Sequence, residues 1–155
     1  MRKRIMEEIE YKYLVDTNKW NALKKPEGEL IVQGFIYNSK ECVVRVRIKG
    51  NRGFLTIKGE TKGITRQEFE YEIPFEDAEK MIDSFTDKHI RKVRYEIIIG
   101  KHTWEVDVFE GALQGLILAE LEVDSEDEKF ELPEWVTEDV SYDSNYYNAV
   151  LIEKC

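Results

Sequence analysis

Seven segments of this chain alternate apolar and ionisable side chains residue by residue, and several carry charges of one sign. In residues 43–50, "VVRVRIKG", Val44, Val46 and Ile48 alternate with Arg45, Arg47 and Lys49. Glu68, Glu70 and Glu72 oppose Phe69, Tyr71 and Ile73 in the same way. The other faces carry Glu8, Glu10 and Lys12; Thr56 and Lys58; Lys92, Arg94 and Glu96; Glu105 and Asp107; Glu120 and Glu122. A period of two marks a β-strand with one apolar and one polar face. A half-solvated sheet explains any one such strand. Seven of them demand more, because a sheet of about eight strands curls or closes. Closure makes one face a lumen and the other an outside.

The predicted strands span 4–15, 30–38, 42–50, 53–60, 66–73, 90–99, 102–110 and 116–124, with hairpin turns at "GNRG" (50–53) and "GKH" (100–102). Helices are expected over 15–25, 74–85 and 144–155. In the last of these Tyr146, Ala149, Val150 and Ile152 are expected to face inward. The acidic stretch 124–143 reads as a surface loop, and Tyr11, Tyr71, Tyr95 and Trp104 as outer packing under the helices. The fold class is mainly β (α+β), in one domain over 1–155.

Two closures satisfy the alternation. Apolar residues fill the barrel and charges meet water, or charges line the lumen and helices cover the apolar face. A solvated face mixes signs and uses lysine freely. Here Arg45, Arg47, Lys49, Lys58, Lys92 and Arg94 supply cations, and Glu8, Glu10, Asp107, Glu120 and Glu122 supply anions. Enclosed charges need partners. Metal ions satisfy the carboxylates, and bound phosphates separate the repelling cations.

The net charge of −9 opposes a nucleic acid duplex as partner. Two cysteines, far apart, imply no disulfide framework and a reducing, cytoplasmic compartment. The N-terminus lacks the apolar run of a signal peptide, and no stretch is long enough to span a bilayer. No GxxxxGK[ST] or GxGxxG motif occurs. His89 and His102 read as loop or strand-end residues.

The segment "EIEYK" (8–12) resembles the ExExK signature of the CYTH domain, or triphosphate tunnel metalloenzyme, superfamily. "QGFIYN", "VRVRIKGNRGFLTIKG", "RQEFEYEIP", "RKVRYEI", "WEVDVFEG", "GLILAELEV" and "PEWVTEDVSYDSNY" follow in the family's order. The resemblance is closest to the short bacterial inorganic tripolyphosphatases. It implies a closed eight-stranded antiparallel β-barrel forming a charged tunnel, with a few covering helices and a C-terminal helix near one mouth. It implies metal ligands at Glu8, Glu10, Asp107, Glu120 and Glu122, with Mg²⁺ or Mn²⁺ as the ion. Phosphate contacts fall to Lys12, Arg45, Arg47, Lys58, Arg66, Lys92 and Arg94, and catalytic roles to Lys12, Glu68 and Glu70. The implied reaction is hydrolysis of a small anionic triphosphate, inorganic tripolyphosphate first, to pyrophosphate and orthophosphate. The implied protein is a monomer or homodimer away from membranes.

Three alternatives stand beside this reading. A class IV adenylyl cyclase usually carries a His-Phe pair ahead of ExExK, and this chain has none. A thiamine or nucleoside triphosphatase wants an aromatic-lined mouth, and 15–25 holds only Trp20. The third is a non-catalytic polyphosphate-binding module.

Overall fold

The computed structural model describes residues 7–155. The order is β1 (Glu7–Val15), α1 (Thr17–Ala22), β2 (Glu29–Asn38), β3 (Cys42–Lys49), β4 (Arg52–Gly59), β5 (Thr65–Ile73), α2 (Phe75–Phe85), β6 (Ile90–Ile99), β7 (His102–Phe109), β8 (Ile117–Glu122), β9 (Val136–Asp139) and α3 (Asn148–Leu151). Short 3-10 turns cover Gly111–Leu113, Ser144–Tyr146 and Ile152–Lys154. The part of the first predicted strand at 4–6 lies outside the described residues.

Strand neighbours run β5-β4-β3-β2-β6-β7-β8-β1, and β1 pairs again with β5. Eight antiparallel strands therefore close into a barrel. The closing seam is short. Glu7, Glu8 and Ile9 face Gln67, Arg66 and Thr65, after which β1 leaves β5. Its far end pairs with β9 instead, Tyr13 with Asp139 and Val15 with Val136. Gly50 and Gly100 turn the β3–β4 and β6–β7 hairpins at φ of 60° and 61°. Only glycine takes that backbone region at no steric cost.

Most outward apolar residues are covered. Trp104, Val106, Ala119 and Leu121 pack with Trp20 of α1 and with Trp135, whose ring lies 5.6 Å from that of Trp20. Trp20 is thus a core residue and lines no mouth. Helix α2 follows Pro74, carries Glu76 and Asp77 in its first turn, and lays Ala78 and Ile82 on Val46. Its approach to β4 is close, since a Cβ on Gly53 would lie 2.7 Å from Ala78 Cβ and 3.1 Å from the Ile73 carbonyl oxygen. Gly53→Ala is therefore expected to push α2 off the sheet and cost about 1–3 kcal/mol, read as a lower Tm in thermal unfolding.

Four expectations need correction. The acidic stretch 124–143 is not all loop, because Val136–Asp139 forms β9. The tail is broken into a 3-10 turn, α3 and a second 3-10 turn, and Leu151 and Ile152 are its buried residues while Val150 is exposed. Tyr71 is about half exposed (48%), whereas Trp104 is fully buried and Tyr11 and Tyr95 pack beside it. The inner face is not charged along its whole length. Leu14, Phe35, Ile90, Phe109 and Leu118, in phase with the charged residues, cluster at one end with Leu113, Val140, Leu151 and Ile152. The tail thus caps an apolar plug.

Candidate functional site

Directly opposed residues on paired strands point to the same face, so the register reads out the lumen. Lys58 lies opposite Glu68, Glu8 opposite Arg66, Lys12 opposite Glu120 and Arg94 opposite Asp107. These pairs are attractive. Glu10 opposite Glu122, Glu105 opposite Glu120 and Glu96 opposite Glu105 are not. The wall formed by β1, β7 and β8 thus holds more negative charge than its own strands balance, while β3, β4 and β6 bring the cations.

A chamber of about 180 Å³ collects most of the residues singled out by the sequence: Glu8, Glu10, Arg45, Arg47, Lys58, Glu68, Glu70, Arg94, Glu120 and Glu122. A narrower continuation of about 30 Å³ adds Lys12, Arg66 and Lys92 and ends on Asn148 and Ala149. Asp107 lines neither. It lies fully buried behind Arg94 and Lys92, accepting from Arg94 Nε at 2.7 Å and Nη2 at 2.9 Å and pairing with Lys92 Nζ at 2.7 Å.

The remaining contacts link the strands. Lys58 Nζ lies 3.2 Å from both Glu8 and Glu68, and Arg66 lies 3.4 Å from Glu8. Thr56 donates to Glu70 at 2.9 Å, and Arg45 Nη2 lies 3.4 Å from the same oxygen. Arg47 Nε donates to Gln33 Oε1 at 2.8 Å. The tail meets the basic end, where Lys92 Nζ and Gln33 Nε2 both reach Asn148 Oδ1 at 2.8 Å and Lys12 Nζ reaches the Tyr146 carbonyl. Arg45 Nε is buried and has no hydrogen-bond partner among the described residues.

The carboxyl groups answer to this geometry. Burial alone would raise Glu8, but Lys58 and Arg66 outweigh it and hold the group at about 2. Burial, then Glu120 and Glu8, push Glu10 well above the ordinary carboxylate range. Burial is opposed at Glu120 by Lys12, Arg94 and Lys92, which keep it ionised. Burial with Glu8 and Glu68 lifts Glu122 to about 7. Among the cations, burial brings Lys92 down to about 7 despite Asp107. The rise at Glu122, caused by burial and acidic neighbours, marks this wall as short of positive charge.

Those acids suit a hard divalent cation in donor type, since all are carboxylates. As the side chains stand, no three His, Cys, Asp or Glu among the described residues gather into a ligating group. Glu8 is held by Lys58 and Arg66 and Asp107 by Arg94 and Lys92, which leaves Glu10 and Glu122, of the five expected metal ligands, as the acids with raised affinity for positive charge.

Several residues that line or support the site were not singled out from the sequence. Glu105 reaches Arg94 at 3.0 Å, and its signal was its place two residues before Asp107 on one strand face. Gln33 had a signal as well, a polar side chain inside an apolar run. Phe54 borders the chamber in phase with Thr56 and Lys58. Asn148 had none, because its role follows from where the tail docks.

The comparisons agree with this architecture. The CYTH domain matches residues 6–149. A protein of Acetivibrio thermocellus named inorganic triphosphatase is 40% identical over 147 residues, covering 94% of this chain and 93% of that one. An inorganic triphosphatase of Nitrosomonas europaea is 35% identical over 157 residues, covering 94% and 97%. The crystal structure of the inorganic triphosphatase NE1496 superposes with a TM-score of 0.65 at 30% identity, covering 97% of each chain. The barrel, its charged lumen and the match along nearly the whole chain place this protein in the CYTH domain family.

Proposed function

We propose that this protein is a divalent-metal-dependent triphosphatase that hydrolyses inorganic tripolyphosphate to pyrophosphate and orthophosphate inside the barrel. One observation carries the reading: the buried Arg45 Nε, without a partner in a lumen of crowded cations. An unpaired buried N–H is costly, and a phosphate oxygen is the acceptor that this lumen calls for. The relatives named inorganic triphosphatase support the substrate. So does size. A chamber of about 180 Å³ is smaller than the roughly 300 Å³ at which pockets for organic ligands begin. A nucleoside or thiamine group would stay outside it.

Arg45, Arg47, Lys58 and Arg94 hold phosphoryl oxygens in the chamber, and Lys12, Arg66 and Lys92 hold those that reach the narrow end. Glu10, Glu120 and Glu122, with Glu8 once its cations turn to phosphate, would hold Mg²⁺ or Mn²⁺. The ion would supply charge neutralisation and lower the pKa of water. Asp107 aims Arg94 and Lys92 rather than holding the ion. Glu68, raised by burial and by Glu8, takes the proton of the attacking water. Glu70 accepts from Thr56 and pairs with Arg45, and so positions that guanidinium. Water attacks a terminal phosphorus in line, the bond to the bridging oxygen breaks, and its electron pair leaves on pyrophosphate.

The two cysteines are unpaired, which suits a cytoplasmic enzyme, and among the described residues no helix is long and apolar enough to cross a membrane. The test is orthophosphate release from tripolyphosphate with Mg²⁺ or Mn²⁺, beside ATP and thiamine triphosphate at the same free metal. Release from tripolyphosphate well above the organic esters is expected. Tight binding without release would instead make the barrel a polyphosphate-binding module.

A further inference from the structure

Strand β2 runs between β3, which carries Arg45 and Arg47, and β6, which carries Lys92 and Arg94. Past Glu29, its own positions on the lumen face are Ile31, Gln33 and Phe35. Phe35 lies opposite Arg45, and Gln33 lies opposite Arg47. The neighbour of Arg47 on β4 is Phe54, again uncharged. The other arginines and the lysine nearby are each paired with an acid: Arg45 with Glu70, Lys58 with Glu8 and Glu68, Arg94 with Asp107 and Glu105. Arg47 is buried, yet among the described residues it forms no ion pair, and its Nε donates to the Gln33 amide oxygen at 2.8 Å. Burial, then Arg45 and Arg94, lower its pKa to about 9, which marks a cation short of an anion.

Gln33 is fully buried and lines neither the chamber nor its narrow continuation. One orientation of its amide satisfies the cluster. Lys92 and Arg47 can only donate. Asn148 therefore turns Oδ1 to Lys92 Nζ at 2.8 Å, and the same oxygen accepts from Gln33 Nε2 at 2.8 Å. That leaves Gln33 Oε1 facing Arg47. A carboxylate at this position would also accept, but it would neutralise the guanidinium. The amide accepts and does not.

We infer that Gln33 is a positioning residue of the phosphate site: anchored by Asn148, it aims Arg47 into the chamber through an uncharged hydrogen bond and leaves the guanidinium's charge to the substrate. The inference rests on the phosphate-binding reading above and adds to it a residue that touches no substrate. Arg47 gains its counter-charge only when the polyanion enters. Stability of the empty barrel and affinity for phosphate should then respond in opposite directions to an acid at position 33.

The experiment measures the calorimetric Kd of inorganic tripolyphosphate without metal, beside the Tm of the empty protein, for the wild type, Gln33→Glu, Arg47→Ala and the double variant. Gln33→Glu is expected to weaken binding by about tenfold or more and to melt no lower than the wild type, because its carboxylate compensates Arg47. In the Arg47→Ala background most of that loss should vanish, since a buried carboxyl without its cation stays protonated. An equal loss in both backgrounds, or a Tm that falls together with affinity, makes Gln33 a packing residue and overturns the inference. Should Gln33→Glu not fold, Asn148→Ala carries the test from a half-buried position. It is expected to weaken binding about threefold or more, and less in the Arg47→Ala background; an unchanged Kd overturns the inference. A wild type that binds tripolyphosphate but does not hydrolyse it with Mg²⁺ or Mn²⁺ loses the triphosphatase reading alone. One that does not bind it loses both.

Discussion

Glu10→Ala is expected to lower metal-dependent turnover of tripolyphosphate by about a hundredfold or more while the metal-free barrel melts no lower than the wild type. The two halves of the result come from one cause. Glu10 faces Glu122 across the strand pair and sits beside Glu8 and Glu120, so its charge works against the fold until a cation arrives. Under the metal assignment proposed above, removing it deletes a donor to the ion and a repulsion together. Thermal melts with and without Mg²⁺ or Mn²⁺ separate the effects. The wild type should gain Tm with the ion by mass action, and the variant should gain little. Near-normal turnover in the variant would remove Glu10 from the metal site.

Asp107→Ala should act in the opposite manner, through the fold. The carboxylate is fully buried and compensates Arg94 and Lys92 at once. Taking one partner from a buried ion cluster leaves uncompensated charge and costs about 3–5 kcal/mol. Glu105 and Glu120, at 3.0 and 3.8 Å from Arg94, offset part of that cost. Denaturant titration measures the loss. Tripolyphosphate should rescue the variant more than it stabilises the wild type, because the polyanion replaces the missing charge. Metal-induced stabilisation should persist. A variant of wild-type stability that no longer responds to Mg²⁺ would instead make Asp107 a ligand.

Strand phase was legible because charge and apolarity alternate with the pleat, so "VVRVRIKG" placed Arg45 and Arg47 on one face before any partner strand was known. The hairpins were legible because Gly50 and Gly100 occupy a backbone region closed to most side chains. What failed depended on contacts distant in sequence. Val136–Asp139 became a strand only because β1 leaves β5 and offers a free edge. The tail's inward face was legible at Ile152 and Tyr146 but not at Val150, because its position is set by Gln33, Lys92 and Lys12, more than fifty residues away in the chain. The apolar plug uses the same side of the strands as the charges, so the alternation alone carries no sign of a floor at Phe109 and Leu118. In the site, the alternation gathered the titratable residues but could not show that Asp107 is already occupied by Arg94 and Lys92.

The closing seam has a mechanical consequence. Among the described residues only three pairs join β1 to β5, fewer than any other junction of the barrel, and Glu8 is in the middle one. The cylinder should therefore breathe first along that line, with amide exchange near Thr65–Gln67 running ahead of the β6–β7 hairpin. Cargo gripped by Lys58, Arg66 and Glu8 together would lace the gap shut, so a loaded barrel should be stiffer where an empty one gapes.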